Sequence, residues 1–150
     1  MTGKFLLQPL LDLANTRMDD AARRLGELIA SEKSSQQKLE MLERYRAEYS
    51  ERFIEATRDG IGPDALRNFS AFIGRIDDAI AAQLRVVQQS KQYISQGQKA
   101  WMTQRGKVRA FDTLSQRHHN EQAKADSRQE QRTTDEHAAR QHRDKDTDPT

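Results

Sequence analysis

The sequence has no cysteine, three prolines, seven glycines and only 35% apolar side chains over 150 residues. Without cysteine there is no disulfide framework, no thiolate nucleophile and no zinc knuckle, a composition that suits a reducing compartment. Long apolar runs are missing too. Phe5-Leu6-Leu7, resumed after Gln8-Pro9 by Leu10-Leu11, falls far short of the roughly 20 residues of a membrane span, and it lacks the uninterrupted apolar segment of a signal peptide. An apolar share well under the roughly 45 to 50% of globular domains leaves too little material for a thick core. The chain is therefore expected to be elongated, partly unfolded or completed by a partner.

Charge is abundant in its place, with 25 Lys plus Arg against 23 Asp plus Glu and a formal net charge of +2. The two signs nearly cancel, so net charge alone does not call for nucleic acid.

The few breakers cluster at Thr57-Arg58-Asp59-Gly60-Ile61-Gly62-Pro63-Asp64. Gly60 suits the left-handed residue that ends a helix, and Ile61 the apolar residue after it. Gly62 then serves as the next N-cap and Pro63 as the first helical residue, with Asp64 in the turn that favours negative charge. The expected organisation is one antiparallel coiled-coil domain over residues 1–145: a helix over 8–57, a turn over 58–63 and a helix from 64 to about 142. Residues 146–150, ending Asp148-Pro149-Thr150, are expected to be a disordered tail because Pro149 cannot continue a helix and nothing apolar is left to bury.

Before the turn, residues alternately three and four apart read Leu11, Ala14, Met18, Ala21, Leu25, Leu28, Glu32, Ser35, Leu39, Leu42, Arg46, Tyr49, Phe53 and Ala56. Only Glu32, Ser35 and Arg46 interrupt the stripe. A period of 3.5 held this long keeps one seam against a partner helix through a left-handed supercoil. After the turn the same spacing gives Leu66, Ile73, Ile80, Val87, Ile94, Trp101 and Val108, with a mixed second series of Phe69, Ile76, Gln83, Ser90, Gly97, Gln104 and Phe111.

Folding at the turn pairs positions whose numbers sum to roughly 122. Trp101 then faces Ala21, Gly97 faces Leu25, and Glu32 meets Ser90. Some 50 helical residues span about 75 Å, which makes a rod. The last thirty or so residues overhang the paired part. The fold class is thus all-α, two long helices in an antiparallel coiled-coil hairpin with an overhanging C-terminal helix. A dimer of long helices shares the seam signal, and the Gly-Ile-Gly-Pro turn favours the hairpin.

Catalysis needs a concave pocket in which groups converge and pKa values shift, and a two-helix rod does not build one; no catalytic residue, cofactor or enzymatic activity is assigned. All four histidines lie late, at His118, His119, His137 and His142. Their spacing departs from the i,i+4 pair that zinc requires on one helix face, so they are read as solvated and no metal is assigned. No phosphate-cradling glycine motif occurs either.

Between Ala79 and Phe111 there is no acidic residue, while Arg85, Lys91, Lys99, Arg105, Lys107 and Arg109 are basic. Such a stretch can bind phosphates in a salt-sensitive way, with Trp101 or Tyr93 stacking on bases. A nucleic-acid-binding hairpin using residues 85–109 is therefore the alternative reading, and a solvated face meeting an acidic protein partner is the preferred one.

The flank of the seam departs from the usual charged pattern. Phe72, Ala79, Val86, Tyr93 and Ala100 follow one another at heptad spacing, and Phe72 and Ala79 share a side with Tyr45, near Leu42, Tyr49 and Ile76. Half-exposed contiguous apolar surface of this kind marks an interaction site, with Tyr45, Tyr49 and Phe72 as its anchors. The competing structural reading is that the strip only widens the seam.

Several strings also carry a resemblance: Asp19-Asp20-Ala21-Ala22-Arg23-Arg24-Leu25-Gly26-Glu27, Tyr45-Arg46-Ala47-Glu48-Tyr49, Asn68-Phe69-Ser70-Ala71-Phe72-Ile73, Asp78-Ala79-Ile80, Trp101 and Arg128-Gln129-Glu130-Gln131-Arg132. Over nearly its whole length the chain resembles the FliJ family of flagellar export proteins. The resemblance implies a non-enzymatic coiled coil of the flagellar type III export apparatus, built like the two-helix part of a rotary ATPase gamma subunit. It implies a stalk that inserts into the export ATPase ring, promotes ring assembly, couples the ring to the cytoplasmic region of the membrane export gate and escorts export chaperones. No nucleic acid is expected as a partner. The implied location is the cytoplasm, peripherally associated with the inner face of the cell membrane at the flagellar base. Carried over residue by residue, the gate-docking patch is Leu42, Tyr45, Tyr49, Phe72, Ile76 and Ala79, bordered by Lys38 and Gln83. The ring-facing part is the open end, residues 5 to 30 against 95 to 120, where Arg105, Lys107 and Arg109 concentrate. The distal segment is richer in histidine and charge than the resemblance leads one to expect.

Overall fold

The computed structural model describes residues 4–147. Among the described residues there are two helices and no strand: α1, Gln8–Asp59, and α2, Pro63–Asp146. The chain divides into two compact units, one of Met1–Met18 with Gln104–Thr150, the other Asp19–Thr103. The second is called the hairpin unit below and the first the terminal unit.

In the hairpin unit the turn is three residues long. Gly60 has a φ of 87°, the left-handed region that costs a glycine nothing. Its N–H donates to the Thr57 carbonyl at 3.3 Å. The Gly62 carbonyl accepts from the Leu66 N–H at 3.0 Å, as an N-cap carbonyl does, so Pro63 stands in the first helical position, where a missing N–H is harmless.

The helices of this unit run antiparallel. Arg46 meets Asp77, Ser35 meets Gln83 and Leu25 meets Gly97 as the chain leaves the turn. Every α1 seam position from Ala21 to Ala56 is at least partly buried, as is every α2 seam position from Phe69 to Trp101. A straight α-helix drifts about 20° per heptad from such a repeat, so burial sustained at 3.5 residues is the mark of a supercoiled pair. No side chain is fully enclosed, and the most buried ones here are Leu39, Ile76, Gln83 and Val87. Leu66 departs from the series, at 43% exposed.

The polar seam positions have specific partners. Gln83, 7% exposed, donates through Nε2 to the Ser35 carbonyl at 3.0 Å, which relieves a buried amide and locks the register of the two helices. Arg46 leaves the seam sideways, its Nε donating to Asp77 Oδ1 and its Nη2 to Oδ2 at 3.4 Å. Glu32 accepts from Gln36 one turn along its own helix, and Ser90 donates back to the Val86 carbonyl.

The terminal unit has its own small core, in which Leu11, Ala14 and Val108 are buried and Met18 and Phe111 lie against them. Phe5 reaches the ring of His118, with centroids 5.7 Å apart. Helix α2 continues to Asp146, past the expected end near residue 142, so Asp146 is helical and not part of a frayed tail. The Thr147 N–H and hydroxyl both donate to the Arg143 carbonyl, which closes the last turn. The remainder of the expected tail, residues 148–150, lies outside the described residues.

Candidate docking surface

Near the turn, the hairpin unit assembles five aromatic rings on neighbouring heptad positions. Tyr45, Tyr49 and Phe53 come from α1 at i,i+4 spacing, which stacks them along one face. Phe69 and Phe72 come from α2. Tyr49 and Phe72 make the closest contact, with centroids 4.4 Å apart. Tyr45 meets Phe72 nearly edge-on at 6.1 Å and 74°, and Phe69 bridges Tyr49 at 5.4 Å and Phe53 at 5.5 Å. Each such pair contributes about 0.5–1.5 kcal/mol beyond burial alone.

This places the six expected patch residues as follows. Tyr45 is 45% exposed and Ala79 is exposed; Leu42, Tyr49 and Phe72 are half-buried. Ile76, at 5%, is seam core and forms the floor of the strip rather than its surface. Of the two bordering residues, Gln83 is buried with its amide on the Ser35 carbonyl, and Lys38 is exposed. Phe53 and Phe69 belong to the cluster although they stand in the seam series; their aromatic character within one turn of Tyr49 and Phe72 was the available signal.

The Arg46–Asp77 pair lies one turn from these rings. Hydrogen bonding to Arg46 holds the Asp77 carboxyl below its ordinary range, attraction between the charges adds to that, and desolvation opposes it. The same hydrogen bond, and then the same attraction, raise the Arg46 guanidinium. With side chains 42% and 49% exposed, the pair is a surface tie across the helices.

Arg105, Lys107 and Arg109 are exposed residues of the terminal unit. Lys107 falls one heptad after Ala100, and Arg109 two residues on, so the three do not share a single row. Among the described residues no group of three or more His, Cys, Asp or Glu is arranged to hold a metal, and no helix is long and apolar enough to cross a membrane.

A model of the flagellar FliJ protein family matches residues 4–147. The chain belongs to that family. It is 31% identical to the flagellar FliJ protein of Salmonella typhi over 134 residues, 89% of this chain and 91% of the relative. To the flagellar FliJ protein of Escherichia coli K12 it is 29% identical over the same shares. A solved structure described as that of a YscO homologue from Chlamydia trachomatis has the same fold, with a TM-score of 0.71 over 99% of this chain and 100% of that one, at 20% identity. As a member of the FliJ family the protein is a component of flagellar export.

Proposed function

We propose that this FliJ-family protein is the non-enzymatic stalk of the flagellar type III export apparatus. In this reading it promotes assembly of the export ATPase ring, couples the ring to the cytoplasmic region of the membrane export gate and escorts export chaperones. It would work in the cytoplasm, held peripherally at the inner face of the membrane at the flagellar base. The gate-docking surface is the strip of Leu42, Tyr45, Tyr49, Phe72 and Ala79 over Ile76, and Arg105, Lys107 and Arg109 are its ATPase-facing charges.

The observation that carries this reading is the exposure of Tyr45 on a ring cluster that is already satisfied internally. A tyrosine needed only to widen the seam would turn its face inward. Here Tyr45 touches Phe72 at an edge and leaves nearly half its surface to solvent. Rigid aromatic anchors with half-covered faces are what interface hot spots use, since they offer area at little cost in side-chain entropy.

The test pairs two measurements. The rate of the export ATPase is read with and without the purified protein, and binding of the gate's cytoplasmic domain is read by calorimetry for wild type, Tyr45→Asp and Phe72→Asp. The expected result is ATPase stimulation by wild type and variants alike, with gate binding lost at least tenfold in Tyr45→Asp while helicity by circular dichroism is kept. Loss of helicity in Tyr45→Asp would make the strip core, and unchanged gate binding would remove the docking role.

A further inference from the structure

The two units differ in how their polar seam positions are satisfied. In the hairpin unit the buried Gln83 amide is bonded to the Ser35 carbonyl on the other helix. The same α2 row continues by heptad steps through Ser90 and Gly97 to Gln104, Phe111 and His118, the last three in the terminal unit. There Gln104 Oε1 and His118 Nε2 are shut off from solvent and have no hydrogen-bond partner among the described residues. Each forfeits the bonds to water that it would make if the helices parted, and a buried polar atom left in that condition destabilises the packing around it. The two atoms stand at either end of the unit's core, Gln104 one turn before Val108 and His118 one heptad beyond Phe111.

That core is small, with Leu11, Ala14 and Val108 buried and Met18 and Phe111 against them. Among the α2 seam positions from Gln104 to Gln122 only Val108 and Phe111 are apolar, whereas from Phe69 to Trp101 only Gln83 and Ser90 are polar. On the α1 side the half-buried Phe5 and Leu7 extend the contact, the Phe5 ring reaching the orphaned His118. Parting the helices of the terminal unit therefore gives up little apolar burial and returns two polar atoms to water. Parting those of the hairpin unit would expose Leu39, Ile76 and Val87 and break a satisfied bond between the helices.

We infer that the terminal unit is a built-in opening segment: α1 up to Met18 parts from α2 beyond Gln104 in one cooperative event while the hairpin unit stays paired, and the orphaned atoms of Gln104 and His118 set how readily this happens. Proteins open in contiguous units whose free energies lie below that of global unfolding, and the units that open first are those with few buried apolar contacts. Once unpaired, the helical ends lose the tertiary packing that supplies most helical stability, and they then exchange their amide protons. The inference does not depend on the role proposed for the Tyr45–Phe72 strip.

The test is native-state amide exchange of the full chain, read by NMR at one neutral pH over a series of low urea concentrations. The amides of Leu11, Ala14, Val108 and Phe111 should be at least about tenfold less protected than that of Val87 and should share one urea dependence, because both sides of the seam open together. Ile76→Ala should lower protection at Val87 and leave those four amides unchanged, since their opening keeps residue 76 packed. Gln104→Met, an apolar side chain of the same length, combined with His118→Leu should raise protection of the four by about tenfold. If the four amides fall together with Val87 in Ile76→Ala, the paired helices form a single cooperative unit and the proposal is overturned. Protection that declines residue by residue toward the chain ends without a shared urea dependence would overturn it as well, being fraying. Unchanged protection in the double variant would overturn the part assigned to the orphaned atoms.

Discussion

Up to Gln122, helix α2 has a side chain in protected surroundings every three or four residues; from Ala123 to Asp146 every residue is exposed. The backbone is the same helix throughout, so what holds it must differ. In the first stretch, apolar burial at heptad positions supplies most of the stability, as it does for helices in proteins generally. In the second, Ala123, Ala125, Ala138 and Ala139 stand among Lys, Arg, Gln and Glu, all strong helix formers. Thr133 and Thr134 bond back to the carbonyls of Gln129 and Glu130. A free peptide of this length would pay for nucleation, whereas this segment grows from a helix already formed. The distal stretch is thus helical by propagation, and the paired stretch by partnership.

Proline separates the two regimes most sharply, because in a helix interior it removes a hydrogen bond and clashes with the preceding turn at about 3 kcal/mol or more. Ala81→Pro, in the hairpin unit, should therefore lower the cooperative melting temperature by many degrees. Ala139→Pro should reduce helicity by circular dichroism and leave that melting temperature unchanged. Equal effects on the melt would mean that the distal stretch belongs to the cooperative unit after all.

Seam truncation is the next largest effect. Ile76→Ala should cost about 2 to 3 kcal/mol in urea unfolding, the lower part of the usual range for core isoleucines, since a two-helix seam encloses no side chain completely. Gln129→Ala, in the exposed stretch, should stay within about 0.5 kcal/mol of wild type. Amide exchange measured on the full chain sharpens the same contrast: protection should approach the global value around Ile76 and Val87 and fall toward that of an unpartnered helix beyond Gln122.

The seam itself was legible because its signal is repeated. From Leu11 to Ala56 every position of the three-four spacing is at least partly buried, including the polar Glu32, Ser35 and Arg46. The pairing sum near 122 was equally legible from Gly60, and Gly97 against Leu25 follows it. What the heptad reading missed are events that depend on side-chain reach. It did not foresee that Gln83 is long enough to find a carbonyl on the other helix, that Arg46 can leave the seam for Asp77, or that Gln36 bonds Glu32 along its own helix. The flank of Tyr45, Phe72 and Ala79 was visible as a break in the usual charged pattern. The rings of Phe53 and Phe69 were hidden within the seam, and the depression beside Gly97 was missed because sequence spacing alone does not show that the helices come close enough for Arg24, Tyr93 and Ala100 to surround it.

Glycine tests the close approach at finer scale. Gly26 lies on α1 with open space around its missing side chain, so Gly26→Ala should stabilise by about 0.5–1 kcal/mol through helix propensity alone. At Gly97 the same gain is opposed by the need to move the Leu28 methyl, and Gly97→Ala should come out near wild type. Gly97→Leu should be clearly destabilising, because the Leu25 backbone is only 3.9 Å from where its Cβ would stand. If Gly97→Ala gained as much as Gly26→Ala, the helices would be less tightly apposed there than the geometry requires.

The smallest expected effect is the ion pair across the hairpin. Asp77 has its carboxyl held low by hydrogen bonding to Arg46, so the pair's contribution is complete above the unfolded carboxyl value of about 4 and is lost as pH falls through the lower folded value. Arg46, held high by the same bond, loses nothing until far above neutral pH. Asp77→Asn should thus lower stability slightly at pH 7 and make the decline below pH 4 shallower than in wild type, measured as the difference between two urea titrations at each pH. Both side chains are substantially exposed, so the difference should shrink as salt is raised. A salt-independent difference would show that the directed hydrogen bonds, more than screened attraction between the charges, carry the pair's contribution.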